Sequence, residues 1–100
     1  MTVPVVPAAP TAVGTTVLAP TQIRVGWTDA STTETSFTVS RSVSIAGVWG
    51  AWADVGNAAA NATGYTNTGL TGGRVYAYRV KACNVSGCSA WAAAPHRSLP

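Results

Sequence analysis

Residues 74–84 (RVYAYRVKACN) constrain the fold most. Tyr76, Tyr78, Val80 and Ala82 fall on one parity, and Ala77, Arg79 and Lys81 on the other. Alternation with a period of two belongs to a strand with one dry face and one wet face. A dry face that wide needs a second layer to cover it. The rest of the chain therefore has to supply more strands.

It does so. Ile23, Val25 and Trp27 alternate with Gln22, Arg24 and Gly26, and Phe37 and Val39 alternate with Thr38 and Ser40. Such runs recur at regular spacing between Gly, Pro, Asn and Ser signals, the pattern of a sandwich. Seven strands are expected: A at 12–18, B at 22–28, C at 37–42, C′ at 52–55, E at 63–67, F at 74–84 and G at 89–93. Thr, Val and aromatic residues favour strands, and no helical periodicity longer than one turn competes. One hundred residues make one domain. Residues 1–10 read as a proline-rich N-terminal arm, 11–94 as the folded domain and 95–100 as a C-terminal tail.

The pieces in order resemble a fibronectin type III domain, of the subtype common in bacterial and phage surface proteins. They are Ala9-Pro10, Val25-Gly26-Trp27-Thr28-Asp29, and Glu34-Thr35-Ser36-Phe37-Thr38-Val39-Ser40-Arg41-Ser42. Tyr65-Thr66-Asn67-Thr68-Gly69-Leu70, Tyr76 to Ala82, and Asn84 with Gly87-Cys88-Ser89-Ala90-Trp91 follow. The resemblance implies an all-β, seven-stranded immunoglobulin-like sandwich of fibronectin type III topology, with sheets A-B-E and C′-C-F-G. It places Trp27, Phe37, Leu70 and Tyr76 in the structural core. It also makes Leu70 and Tyr76 a tyrosine corner, whose hydroxyl bonds to backbone near the E–F turn.

Cys83 and Cys88 flank Asn84-Val85-Ser86-Gly87, which reads as the F–G turn. A cross-strand disulfide is expected, because two thiolates without a third Cys or a nearby His do not make a zinc site. A disulfide implies an oxidising compartment, so the expected location is a virion surface or the extracellular space. Trp91 is expected to stack on Arg79 and Lys81, similar to the Trp-Ser-x-Trp-Ser ladder of related receptor domains. Strict alternation from Cys88 turns Trp91 inward, so this stack needs a bulge. Trp52 is expected to fold over the edge of the core. Trp49, between Val48 and Gly50, is the least explained by packing and is the expected contact residue.

Composition excludes several functions. The six basic residues are scattered and outnumber three acids, giving a net charge of +3. No basic stripe tracks a phosphate backbone, so no nucleic-acid partner is expected. No run approaches the ~18 apolar residues of a membrane helix, and MTVPVVPAAP lacks the basic start of a signal peptide; no membrane insertion is expected. Asp29 and Glu34 fall in a turn where carboxylates cap backbone, and His96 lies beside Pro95 without a partner; no catalytic residue, cofactor or metal is expected. The sequons at Asn61 and Asn84 carry little weight in a bacterial or phage setting.

What remains is a non-enzymatic structural or interaction module. The first expectation is a decoration or accessory structural protein on a phage virion or similar surface assembly. Its arm would dock on protein subunits through Val3, Val5 and Val6. The alternative is a spacer or weak carbohydrate-binding accessory module of a secreted bacterial enzyme or adhesin. Surface glycans would then meet Trp49, Trp52 or Trp91.

Overall fold

The computed structural model describes residues 5–99. Their strands are β1 (Thr11–Ala19), β2 (Gln22–Thr28), β3 (Ser36–Ile45), β4 (Val48–Trp49), β5 (Ala53–Ala59), β6 (Gly64–Asn67), β7 (Val75–Asn84), β8 (Gly87–Cys88), β9 (Ala92–Ala93) and β10 (Arg97–Ser98). Among the described residues there is no helix. One sheet runs β1-β2-β6. The other is centred on β3 and β7; β4 and β5 pair with β3, while β8, β9 and β10 pair with β7. All of these pairings are antiparallel. This is the expected immunoglobulin-like arrangement, A-B-E against C′-C-F-G.

The alternating residues of β2, β3 and β7 meet between the sheets. Ile23, Val25, Phe37, Val39, Tyr78, Val80 and Ala82 are fully enclosed, and Trp27, Leu70 and Tyr76 nearly so. Trp27 and Phe37 pack at a centroid distance of 5.2 Å. The buried Trp27 Nε1 has no hydrogen-bond partner, but the Tyr78 hydroxyl and Arg41 guanidinium in this layer do. Tyr78 Oη donates to Asn67 Oδ1 at 2.7 Å, and Arg41 Nη1 donates to the same oxygen at 2.9 Å. Burial pushes the Tyr78 hydroxyl up to about 12, against the nearby Arg41 charge.

Four elements differ from the sequence expectation. The expected C′, 52–55, is β5, which leaves Trp52 outside and runs on to Ala59. β3 runs on to Ile45 and turns through Ala46 and Gly47 into β4, where a loop was expected. Both turn residues have positive φ, 52° and 81°, the geometry of a two-residue hairpin that matches strand twist. The expected strand G is split. Cys88 faces Cys83 and Ala92 faces Val80, so four steps on one side match three on the other. That is a one-residue bulge. Finally, the expected C-terminal tail continues the sheet. Arg97 pairs with Tyr76, and Leu99 enters the core with 4% of its surface exposed. A lone leucine directly after the Arg97–Ser98 pair offers little signal in sequence.

Candidate interaction surface

The two poles of the sandwich are defined by β7. Ten extended residues separate its ends by roughly 30 Å. At one end, Cys83 and Cys88 are directly opposite and form a disulfide with Cα atoms 4.0 Å apart. The β7–β8 turn that it closes also holds the N-terminal arm. Asn84 Nδ2 donates to the Val5 carbonyl at 2.7 Å and to the Thr33 carbonyl at 3.1 Å, while its Oδ1 accepts from the Ser86 N–H. Pro7 and Pro10 are buried, and Val5 and Val6 stay 58% and 47% exposed. Val3 lies outside the described residues.

The β2–β3 loop beside this turn carries the two carboxylates. Glu34 is buried, and its Oε1 accepts from the Asn61 N–H at 3.2 Å. Asp29 Oδ1 accepts from the Ser31 N–H at 3.0 Å. Burial alone opposes ionisation of Glu34, but the neighbouring Asp29 carboxyl, its own N–H, the Asn61 N–H and Ser31 outweigh it and hold its carboxyl below the ordinary value. Asp29 goes the other way, raised first by burial and then by the neighbouring Glu34 carboxyl. Glu34 Oε1 ties this loop to the β5–β6 turn through the Asn61 N–H, while its buried Oε2 has no hydrogen-bond partner. No cavity opens beside them, nor elsewhere among the described residues, and no third metal-ligating group joins them.

The outer face of the larger sheet carries three of the four tryptophans. Arg79 projects from β7 between two indoles: its guanidinium carbon lies 4.3 Å from the Trp52 ring and 4.2 Å from the Trp91 ring. Lys81 Nζ lies 4.5 Å from Trp91. The bulge between β8 and β9 is what brings Trp91 to this side. Trp52 therefore caps a ladder of alternating rings and cations rather than the edge of the core, and 40% of it is exposed. Beneath it, buried Ser40 and Ser42 donate to the Ala53 and Gly50 carbonyls, at 3.2 and 2.8 Å, and fix the backbone on either side of the ring. Trp49 sits apart, on β4, with its centroid 5.7 Å from His96 and 45% of its surface exposed. The His96 contact was invisible in the sequence, because 47 residues separate the two.

At the opposite end of β7, Tyr76 turns its hydroxyl back to accept the Thr71 N–H at 2.9 Å. Gly69 and Gly73 hold this corner at positive φ, 70° and 79°. Leu70 fills the space under it, and its N–H donates to the Thr21 carbonyl in the β1–β2 turn.

No family model and no curated protein matches the sequence. Solved structures do. A chain described as titin kinase and its flanking domains is 28% identical over 92% of this chain, with a TM-score of 0.76. This chain spans only 17% of that one. The FN5 domain of Drosophila Lar is 22% identical, with 95% of this chain and 98% of that domain covered and a TM-score of 0.74. The fn3 domain of human collagen alpha-1(XX) chain is 15% identical, with 98% and 90% covered and a TM-score of 0.76. Two domains of this size overlay on almost the whole chain, and the Thr71–Tyr76 corner sits where that architecture needs it; the chain has the fibronectin type III fold.

Proposed function

We propose that this chain is a non-enzymatic structural module of a surface assembly, a decoration or accessory structural protein on a phage virion or a similar particle. The supporting observation is the arm. Pro7 and Pro10 are anchored on the domain, yet Val5 and Val6 keep much of their apolar surface in solvent. An extended segment anchored on the domain that leaves two valine side chains in solvent suits docking on a neighbouring subunit. The disulfide beside the arm suits an oxidising, extracellular setting. Trp49 is the second contact residue in this reading.

A second reading is favoured by a different observation. The arm meets the domain at the Asn84 pole, and Leu99 closes it at the Arg74 pole. Ends at opposite poles suit an in-line spacer within a secreted enzyme or adhesin, with Trp49 and Trp52 as weak glycan contacts. An antibody against the chain, applied to cultures of the producing source, separates the two. Label on particles, lost when residues 1–7 are deleted from the gene, supports decoration. Label on secreted polypeptides larger than 10.1 kDa supports the spacer. Label on neither overturns both.

A further inference from the structure

The disulfide and the N-terminal arm meet at one turn. Cys83 and Cys88 are cross-strand partners five positions apart, and the residues between them turn β7 into β8. Two of those residues hold the arm. Asn84 Nδ2 donates to the Val5 carbonyl at 2.7 Å. The Val6 side chain lies over Gly87, with its Cγ2 3.5 Å from the place a β-carbon would take there.

Apart from the disulfide, little fixes this turn. β8 is two residues long, and the bulge after it cuts its register off from β9. The bond from the Ser86 N–H to Asn84 Oδ1 is exposed to water, and Val85, 94% exposed, adds no anchor. The flanks are tied to the sheet. Cys83 pairs with Ser36, and its carbonyl accepts the Thr35 N–H at 2.8 Å. The Ser89 N–H donates to the Ala82 carbonyl at 2.7 Å, and Ser89 Oγ accepts the Ala82 N–H at 3.0 Å. Loosening of the turn therefore stops at Cys83 and Ser89, and the core strands behind it keep their pairing.

We infer that the disulfide is a reducible clasp for the arm: reduction of Cys83–Cys88 by a dithiol releases Val5 and Val6 from the β7–β8 turn while the sandwich stays folded. Cys88 is exposed and Cys83 half-buried, so a thiolate arriving from solvent attacks Cys88 Sγ. The S–S bond breaks and Cys83 leaves as a thiolate with the bonding pair, facing the Thr38 hydroxyl 3.9 Å away. The second thiol of the same donor then displaces Cys88 and closes the donor's own disulfide. The chain gains two electrons and two protons, and the dithiol loses them. The turn regains the conformational freedom that ring closure had removed. Asn84 and Gly87 then no longer hold one position against Val5 and Val6. The clasp belongs to the isolated chain and holds whatever the arm docks on.

NMR of the whole chain tests it, before and after dithiothreitol, with alkylation and mass spectrometry confirming two free thiols. The oxidised chain shows a cross-peak between the Val6 methyls and the Gly87 α-protons. Reduction abolishes it and drops the Val6 amide order parameter below ~0.6, the flexible range. The resonances of Val80 and Ala82 stay in place, and reoxidation brings the cross-peak back. Cys83→Ser with Cys88→Ser gives the reduced pattern without dithiothreitol, so the bond and not the reagent is responsible. Asn84→Ala keeps the disulfide yet has the loose arm, and reduction changes that arm no further. A cross-peak absent from the oxidised chain, or one that survives reduction, overturns the inference. So does reduction that unfolds β7, and so does a disulfide that dithiothreitol cannot open in the folded chain. An Asn84→Ala arm that stays ordered, or still responds to reduction, overturns it as well.

Discussion

Asn84 and Val5, 79 residues apart in the chain, are joined by a 2.7 Å hydrogen bond from the side-chain amide to the backbone carbonyl. The same amide nitrogen reaches Thr33, and its oxygen holds the Ser86 N–H. One side chain thus ties the arm, the β2–β3 loop and the β7–β8 turn into a single pole.

Asn84→Ala should free the arm while leaving the sandwich folded. The bonds are exposed, so the loss in global stability is about 1 kcal/mol or less. Hydrogen exchange at the Val6, Ala8 and Ala9 amides should accelerate, with core amides of β7 unchanged. Unchanged exchange in the arm would show that Pro7 and Pro10 hold it unaided.

Removing the disulfide with Cys83→Ser and Cys88→Ser together should cost about 2 kcal/mol, because the loop it closes is short. The β7–β8 turn should loosen and the circular-dichroism spectrum of the sandwich should persist. A chain that fails to fold would mean the clamp is needed by both sheets.

Tyr76→Phe leaves the Thr71 N–H without its acceptor at the corner. The expected cost is about 1–2 kcal/mol by denaturant melts, with the slope unchanged. A neutral result would mean that water replaces the phenol there.

Arg79 is stacked on both faces, and its buried Nε has no hydrogen-bond partner, so the rings are its main partners. A double-mutant cycle of Arg79→Ala with Trp91→Ala should give a coupling of about 0.5–2 kcal/mol. Arg79→Lys should recover little, since an ammonium lacks the flat surface that two indoles can share. Zero coupling would reduce the ladder to a coincidence of packing.

Glu34→Gln should lower the Asp29 pKa toward its ordinary value, read by NMR titration, because Glu34 is one of the causes that raise it. The signs are opposed within the pair. Glu34, depressed in the fold, adds stability above its unfolded pKa that is lost as pH falls through its folded one. Asp29, raised, adds stability below its unfolded pKa that is lost as pH rises through its folded one. The variant removes the first contribution and shrinks the second, so its stability should vary less with pH across the carboxylate range. An Asp29 titration that does not move would show that the carboxyls are not linked.

The period-two runs of β2, β3 and β7, the punctuation between them and the disulfide hairpin are local, and local chemistry set them. Ile23, Val25, Phe37, Val39, Tyr78 and Val80 could be read as core because a strand has only two faces and one of each pair is polar. The stack of Trp91 on Arg79 was legible as a possibility, and the bulge it required is present between β8 and β9.

The tertiary structure alone decided which distant surfaces meet. Leu99 in the core, His96 against Trp49, Asn84 on Val5 and the shared Asn67 oxygen under Arg41 and Tyr78 all join segments far apart in the chain. No periodicity encodes such pairs, because they depend on how two twisted sheets overlay and on where a single extra residue shifts the register.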